Sequence, residues 1–375
     1  MAPPATRPAF TSRFTASLEG RYQEDRIVAT QEVDGTSTAV TPFINRQEET
    51  FTKFLPRVTG RYAISDTLNL YGSFAQGNKP GGFNSYPANA NAASLAALRA
   101  LGLENIDEED VNSYEIGLKG TWADNRYAYN VALFNLDWKK QQLTRSEPYQ
   151  TTAGTFTTVP FTVNAGESSI YGLELEINGR PTHWFDFRVA YAWARARFDD
   201  YYDVNLEELL DTDGQWSFLD PLFTQPNPLD TDGPLGQAKG NRIPQVGEHQ
   251  AAVSGTLRRE FTNRWSGFLR NDFTYESKRY TQTDNLNWAG DQFKWNLRAG
   301  IERDNMTLSL YVNNVLDDDS VVAVTRLADF QRPLVIPDPI ASAGGGADPG
   351  TTLYPPFLVA LPRKREAGLQ LNYRF

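Results

Sequence analysis

The chain of 375 residues carries a formal net charge of -10, contains no cysteine and has two histidines. The acidic balance argues against a nucleic-acid-binding protein, which needs a basic face. The absence of cysteine excludes disulfides, thiol nucleophiles and thiolate metal sites. The mean hydropathy is -0.50, and no apolar run approaches the ~20 residues of a spanning helix, which excludes a helical membrane protein.

The start of the chain, MAPPATRPAF, has neither the basic beginning nor the apolar stretch of a secretory signal peptide. We therefore expect no signal peptide in this sequence. The length fits two ordinary domains or one large β-architecture.

The dominant pattern has a period of two residues, which is typical of β-strands. Over 185–194, large side chains such as Phe187 and Tyr191 alternate with small or charged ones such as Arg188. The alternation returns over 126–133, 171–178, 293–301, 306–313 and 365–375, with less regular runs near 12–24, 52–65, 67–77, 111–122, 248–258 and 264–276. These runs make about twelve strands, each near the ~9–11 residues with which a tilted strand crosses a bilayer. Charges on one face of nearly every strand favour a watery lumen over a dry core.

The connections alternate in length. Short turns are predicted near 65–67, 123–125, 179–183, 259–263 and 304–305, and long connections near 78–110, 144–163, 199–246, 277–289 and 317–363. Short periplasmic turns and long extracellular loops are the layout of outer-membrane barrels. The sequence therefore predicts an all-β, transmembrane, antiparallel up-and-down β-barrel in the outer membrane of a Gram-negative cell.

The predicted loops contain few features that indicate chemistry. Residues 92–101, followed by Gly102, predict a short helix with a glycine stop, and 205–210 predict a helical turn. Glycines at 344–346 and nearby prolines indicate an irregular segment. The sequence DTDG occurs at 211–214 and 230–233. It fits either a calcium-binding turn or, as we favour, an Asx-type turn in a solvated loop, because the full calcium-loop pattern is missing.

Nothing in the sequence indicates an enzyme. His183 and His249 each lack a neighbouring histidine or cysteine, and we find no nucleophile elbow, phosphate-binding glycine loop or dinucleotide fingerprint. We therefore predict no catalytic residue, no resident metal and no cofactor.

Aromatic residues stand at the ends of several predicted strands: Tyr62, Trp122, Tyr127, Trp184, Trp265 and Tyr373. They fit interfacial girdles, although ordinary β-propensity would also place aromatics there. The last strand has apolar residues at every second position, namely Ala367, Leu369, Leu371, Tyr373 and Phe375. A terminal strand that ends in phenylalanine is the pattern recognised by the barrel-assembly machinery, so Leu369, Leu371, Tyr373 and Phe375 are the predicted assembly signal.

Five segments resemble TonB-dependent outer-membrane receptors, in that family's order along the chain. They are YGSFAQGNKPGGFN at 71–84, SYEIGLKGTW at 113–122, IYGLELEI at 170–177, NNVLD at 313–317 and REAGLQLNYRF at 365–375. One departure is Lys364, where the family usually has proline, glycine or glutamate.

The resemblance implies a receptor with an N-terminal plug inside a barrel of about 22 strands. This sequence shows about twelve strands and no plug, so we interpret residues 1–375 as the C-terminal part of the barrel. The parent would take up a scarce nutrient, most often a ferric siderophore, with vitamin B12, haem or glycans as alternatives. The implied partners are the lipid bilayer and lipopolysaccharide, the ligand, TonB through the missing plug, and the barrel-assembly machinery.

The candidate ligand contacts lie in two predicted loops. They are Lys79, Phe83, Asn84 and Tyr86 in one loop, and Tyr201, Tyr202 and Trp216 in the other. Two other interpretations remain open. The first is a self-contained barrel of about twelve strands that acts as a passive porin or an outer-membrane enzyme. The second is a soluble β-rich binding protein.

Overall fold

The computed structural model describes residues 13–33, 43–202, 237–262, 264–283, 285, 287–326 and 357–374. In chain order the strands are β1 Phe14–Val33, β2 Phe43–Ser65, β3 Leu68–Lys79, β4 Gly82–Phe83, β5 Asn105–Ile106, β6 Glu109–Trp122, β7 Tyr127–Gln150, β8 Phe156–Thr182, β9 Phe185–Asp200, β10 His249–Thr262, β11 Trp265–Glu276, β12 Arg279–Tyr280, β13 Trp288–Ala289, β14 Gln292–Arg303, β15 Met306–Asn313, β16 Ala323–Arg326, β17 Phe357–Ala360 and β18 Glu366–Tyr373. The helix α1 spans Ala92–Ala100.

Twelve of these strands form one antiparallel sheet, in the order β1-β2-β3-β6-β7-β8-β9-β10-β11-β14-β15-β18. Each strand therefore pairs with the next long strand along the chain, as in an up-and-down barrel. The remaining strands form three short pairs, β4 with β5, β12 with β13 and β16 with β17, all within connections. The predicted all-β class, antiparallel topology and number of strands are confirmed.

The register gives the sheet two chemically different faces. Cross-strand partners such as Leu18 and Val58, or Leu310 and Leu369, lie on one face, which we call the outer face. Its apolar side chains stay uncovered; for example, Leu18 is 74% exposed and Leu369 is 66% exposed. The opposite, inner face carries charged and small residues, among them Glu19, Glu174 and Arg298. An exposed apolar band with a polar reverse side is the pattern of a sheet between lipid and water.

The strands extend further than the sequence suggests at one end. The predicted long connection over 144–163 is wrong, because β7 runs to Gln150 and β8 begins at Phe156. β1 and β2 likewise continue past the predicted runs, to 20 and 23 residues. Short turns join consecutive strands at the other end near all five predicted positions. The predicted turns over 179–183 and 259–263 are too long, because β8 runs to Thr182 and β10 runs to Thr262. The predicted helix over 92–101 is confirmed, and Gly102 has a φ of 66°.

The sheet has two edges. Among the described residues, β1 and β18 stand at opposite ends of the strand order and do not pair with each other. Each edge leaves backbone groups without a strand partner, which costs several kcal/mol per group in lipid. The arrangement gives no support to the interpretation as a self-contained barrel.

Among the residues described, no helix combines the length and the apolar character that crossing a membrane requires.

Candidate functional site

The long-connection end of the sheet, which we call the loop end, contains two buried clusters. The first consists of Tyr86, Ala90, Leu98, Tyr149 and Phe161. Phe161 is fully buried, and its ring centroid lies 5.6 Å from that of Tyr86 in an edge-on contact. The helix α1 contributes Leu98, and Asn91 caps the helix by accepting a hydrogen bond from the Ser94 N–H at 2.8 Å. This cluster fixes the connection between β3 and β6 against the extended part of β7 and β8.

Asn84 is a positioning residue of this connection. Its side-chain amide donates to the carbonyl oxygens of Leu103 and Thr162, each at 2.7 Å. Its Oδ1 accepts from the Thr162 N–H at 2.8 Å. Because the side chain is buried and its polar atoms are engaged, Asn84 holds the loop in place.

Tyr86 lies beside Asn84 and is also buried. Its carbonyl oxygen accepts from the Gln31 amide at 2.7 Å, and the Arg99 guanidinium stands 6.0 Å from its ring centroid. Burial raises the pKa of the Tyr86 hydroxyl, and the nearby Glu104 charge adds to that shift. Tyr86 therefore links β1, α1 and the loop and stays neutral at ordinary pH.

Lys79 and Phe83 are more available for a ligand. Lys79 ends β3, is exposed, and takes part in no ion pair among the described residues. Phe83 lies in β4, paired with Asn105, and is half-buried. Lys79 is thus the predicted contact with a free charge.

The second buried cluster consists of Ala196, Phe198, Tyr201, Ala238 and Ile243. The rings of Tyr201 and Phe198 lie 4.9 Å apart, so Tyr201 belongs to this packing. Tyr202 is 42% exposed and forms an isolated bridge with Gln237. Trp216, the DTDG sequences, residues 205–210 and 344–346, and Phe375 lie outside the described residues.

A group of cationic and aromatic side chains at the loop end was not found by sequence reasoning. The Lys278 Nζ stands 5.4 Å from the Tyr280 ring centroid and 5.1 Å from that of Trp288. Trp288 is 53% exposed although β12 and β13 hold its backbone. The sequence does show a lysine, a tyrosine and a tryptophan within the predicted connection of thirteen residues, 277–289. However, these side chains come together only because β12 pairs with β13.

The inner face contains a recess of about 490 Å³. It is lined by the small side chains of Ala190, Ala192 and Ala252 and by the charged side chains of Glu174 and Lys294, among others. Ion pairs are spread over the same face, including Arg188 with Glu176 at 3.0 Å and Arg270 with Asp272 at 2.7 Å. This face is built to contact water or a polar protein surface.

Among the described residues, no group of three or more histidine, aspartate or glutamate side chains is arranged to hold a metal ion. His183 and His249 lie apart, and the His249 Nδ1 is 2.9 Å from the Tyr191 hydroxyl. This hydrogen bond, on the outer face, gives His249 a structural partner.

The strand-end aromatics gather at the short-turn end. Trp122 and Tyr127 stack with centroids 4.6 Å apart, and Tyr62, Trp184 and Tyr373 are exposed. Leu369 and Leu371 are exposed on the outer face of β18, as an assembly signal requires. The girdle and the assembly signal stay predictions.

Comparison with known proteins gives the family. Residues 7–315 match a family model described as TonB dependent receptor-like, beta-barrel. A probable TonB-dependent siderophore receptor, PiuA of Acinetobacter baumannii, is 23% identical over 297 residues, which cover 78% of this chain and 33% of that protein.

Two solved structures resemble the whole described sheet. The ferric yersiniabactin uptake receptor FyuA from Yersinia pestis gives a TM-score of 0.64 at 18% identity, covering 98% of this chain and 44% of that one. The siderophore receptor PiuA from Acinetobacter baumannii gives 0.59 at 16% identity, covering 97% and 41%. The chain therefore spans less than half the length of these proteins, and it is similar to their barrel. Because the family model covers most of the sequence, the chain belongs to the TonB-dependent receptor β-barrel family of the Gram-negative outer membrane.

Proposed function

We propose that this chain forms part of the barrel of a receptor that takes up a ferric siderophore in a TonB-dependent manner. The family membership supports a receptor, and the similar proteins are named as siderophore receptors. The observation that carries the proposal is the two-faced sheet, apolar outside and polar inside, with ordered connections at one end. Such receptors bind and transport their ligand without making or breaking bonds in it, so we propose no catalytic residue.

Capture would take place at the loop end. Lys79 offers an exposed ammonium group there, and Lys278 with Trp288 offers a second cation beside a flat aromatic surface. A ferric siderophore with anionic iron-chelating groups can accept charge-assisted hydrogen bonds from such lysines. The cluster around Phe161 holds the connection after β3 in place, and hydrogen bonds between Asn285 and the backbone of Arg242 hold the connection that contains Lys278. Little ordering free energy is therefore lost on binding.

Transport would use the inner face. A plug domain would pack against the recess that Glu174 and Lys294 help to line. Small alanine side chains leave room there for side chains of the plug, and the flanking charges can pair with it. Contact of that plug with TonB would then release the ligand through the barrel.

The test is uptake of radiolabelled ferric siderophores by iron-starved cells that carry or lack the gene. We expect loss of uptake of one siderophore on deletion, and restoration by the wild-type gene. Replacing Lys79 by glutamine should raise the Kd for that siderophore about tenfold, since one charge-assisted hydrogen bond is lost. Lys239→Gln, which removes an exposed charge from another connection, is the matched control. Unchanged uptake of every siderophore tested on deletion would contradict the proposal.

A further inference from the structure

Arginines gather at the short-turn end of the sheet. They include Arg61, Arg126, Arg258, Arg259, Arg264 and Arg303. The register separates them into two groups, because side chains alternate between the faces. Arg258 lies on the inner face, where it pairs with Asp186. Arg259 and Arg303 lie on the outer face and need a different explanation.

The position of Arg259 follows from its neighbours. It stands opposite Gly267, which stands opposite Ile301, and Ile301 is an exposed apolar residue of the outer face. Arg303 stands opposite Met306, which stands opposite Tyr373, also exposed on the outer face. From the strand spacing and the rise per residue, the Cα atoms of Arg259 and Arg303 lie about 12 Å apart.

An aromatic surface lies between the two arginines. The Arg303 guanidinium carbon stands 5.2 Å from the Trp265 ring centroid. Phe261 is 61% exposed, and its ring covers Gly267. Both aromatic side chains belong to the end of the sheet at which aromatic residues meet the membrane surface.

The positive charge of this surface is largely uncompensated. Arg259 is exposed and makes no ion pair within the part of the chain that the structure describes. Arg303 has Asp304 at 3.7 Å, and both side chains are well exposed, so the pair is weak. Glu260 and Glu302 stand opposite Ser266 and belong to the inner face.

We propose that Arg259, Phe261, Trp265 and Arg303 form a binding site for an anionic phospholipid of the periplasmic leaflet, which we call the rim site. Short turns mark the periplasmic side, and the leaflet on that side consists of phospholipids. The two guanidinium groups hold the phosphate by charge-assisted hydrogen bonds, and Trp265 lies at the depth of the headgroup. The acyl chains lie along Ile301 and Leu269, which are exposed on the same face.

The test is native mass spectrometry of the protein released from vesicles of phosphatidylglycerol or of phosphatidylcholine. We expect phosphatidylglycerol to stay bound and phosphatidylcholine to be lost. The double variant Arg259→Gln, Arg303→Gln should weaken retention of phosphatidylglycerol about thirtyfold, since each arginine near an anionic surface contributes about a factor of five. Arg61→Gln, an arginine of the same end that faces inward opposite Tyr71, should leave retention unchanged.

Further arms distinguish the source of the phosphate and guard against misfolding. Soluble glycerol phosphate should not displace the lipid, because it lacks the acyl chains; displacement would identify a bare anion site and overturn the proposal. In a parallel measurement with lipopolysaccharide, the double variant should retain this lipid as the wild type does. A loss of lipopolysaccharide equal to the loss of phosphatidylglycerol would likewise overturn the proposal. The fluorescence of Trp265 is obtained as the difference between the wild type and Trp265→Phe. Brominated phosphatidylglycerol should quench this fluorescence, and brominated phosphatidylcholine should quench it less. Equal retention of both phospholipids by the wild-type protein would refute the rim site.

Discussion

The ring of Tyr71 on β3 lies directly over Gly117 on β6, so that a Cβ added at Gly117 would lie 2.5 Å from the ring Cζ. The two residues are cross-strand partners on the inner face. The Tyr71 hydroxyl lies 3.3 Å from the Asn130 Oδ1, and Lys119 stands 5.5 Å from the ring centroid. The glycine therefore lets the tyrosine lie flat along the sheet and reach β7.

Gly117→Ala should displace the Tyr71 ring and destabilise the barrel. We expect a loss of about 1–3 kcal/mol in the free energy of unfolding, because the added methyl group overpacks the contact. Thermal unfolding in detergent micelles, followed by the heat-dependent shift in electrophoretic mobility, measures it.

Gly77→Ala is the matched control for that variant. Gly77, on β3, also lies on the inner face of the sheet, and nothing lies within 4 Å of a Cβ added there. A second check is the double variant Gly117→Ala, Tyr71→Ala, in which the added methyl group no longer meets the ring and should cost less. Equal destabilisation by the two glycine substitutions would argue against the packing explanation.

Asn84→Ala should loosen the connection between β3 and β6 without unfolding the sheet. The substitution leaves two part-buried carbonyl oxygens and one amide N–H without their partner, and a fully buried group in that position costs about 1–3 kcal/mol. Hydrogen exchange over residues 80–105 should speed up, with exchange in β14 and β15 unchanged. Ser85→Ala, at the exposed neighbouring position, should leave exchange as in the wild type. Protection that persists in Asn84→Ala would show that the packing of Tyr86 alone holds the loop.

The stability of the connection after β15 should depend on pH through Asp318. Burial by itself would raise the pKa of Asp318, but hydrogen bonds from Ser320 and from the Phe293 N–H, with the charge of Lys294, together lower this pKa below its ordinary value. A lowered pKa in the folded state stabilises the fold above the ordinary carboxyl pKa. That contribution is lost as the pH falls through the lowered value.

Asp318→Asn should therefore reduce the thermal stability at neutral pH, and the difference from the wild type should shrink in acid below the ordinary carboxyl pKa. Unfolding midpoints measured over a pH series test this. Asp319→Asn is the control, because Asp319 is 76% exposed and its contact with Lys364 is 3.4 Å long. A difference that stays constant across the whole pH range would exclude the carboxylate as its cause.

Trp122→Ala should weaken the membrane-surface end of β6. The variant loses the stacking with Tyr127, which contributes about 0.5–1.5 kcal/mol beyond the burial of area. Unfolding by denaturant from lipid vesicles measures the loss, and Trp122→Phe should restore part of it. Trp288→Ala, at the loop end, should leave this stability unchanged because Trp288 lies away from that membrane surface.

The twelve long strands were predictable because each has one face toward lipid and one toward water. Apolar and polar residues therefore alternate along each strand. In β9, for example, Phe187, Val189 and Tyr191 share the outer face. Twelve strands follow from twelve such runs, and the family resemblance follows from the segments within them.

The upper parts of β7 and β8 were missed for a physical reason. Over 140–150 and 156–166 the two strands pair only with each other, since β6 and β9 pair with residues closer to the short-turn end. Neither face of this ribbon meets lipid, so no alternation is required of its threonine-rich sequence. Pro148 and Pro160 are tolerated because each strand there has one open edge.

The candidate site was only partly predictable. Lys79 and Tyr86 were predicted as ligand contacts from their place in one loop, and this stays a prediction. Tyr86 is buried in a cluster whose members come from β7, β8 and α1. The cation–aromatic group of Lys278 and Trp288 depends on the pairing of β12 with β13. Each of these strands has only two residues, which is too short for a recognisable sequence pattern. Contacts between connections distant in sequence leave no local pattern.

The ribbon of β7 and β8 rises past its neighbours by about eleven residues, or roughly 36 Å. At the tip of the ribbon the Gln150 carbonyl accepts a hydrogen bond from the Asn91 N–H at 2.8 Å. The connection that contains α1 is therefore attached to this tip. An antibody raised against intact cells that binds this tip would therefore recognise a discontinuous epitope. Its two segments, around Asn91 and Gln150, lie about sixty residues apart in the sequence. Serum that binds intact bacteria should fail on a denatured blot.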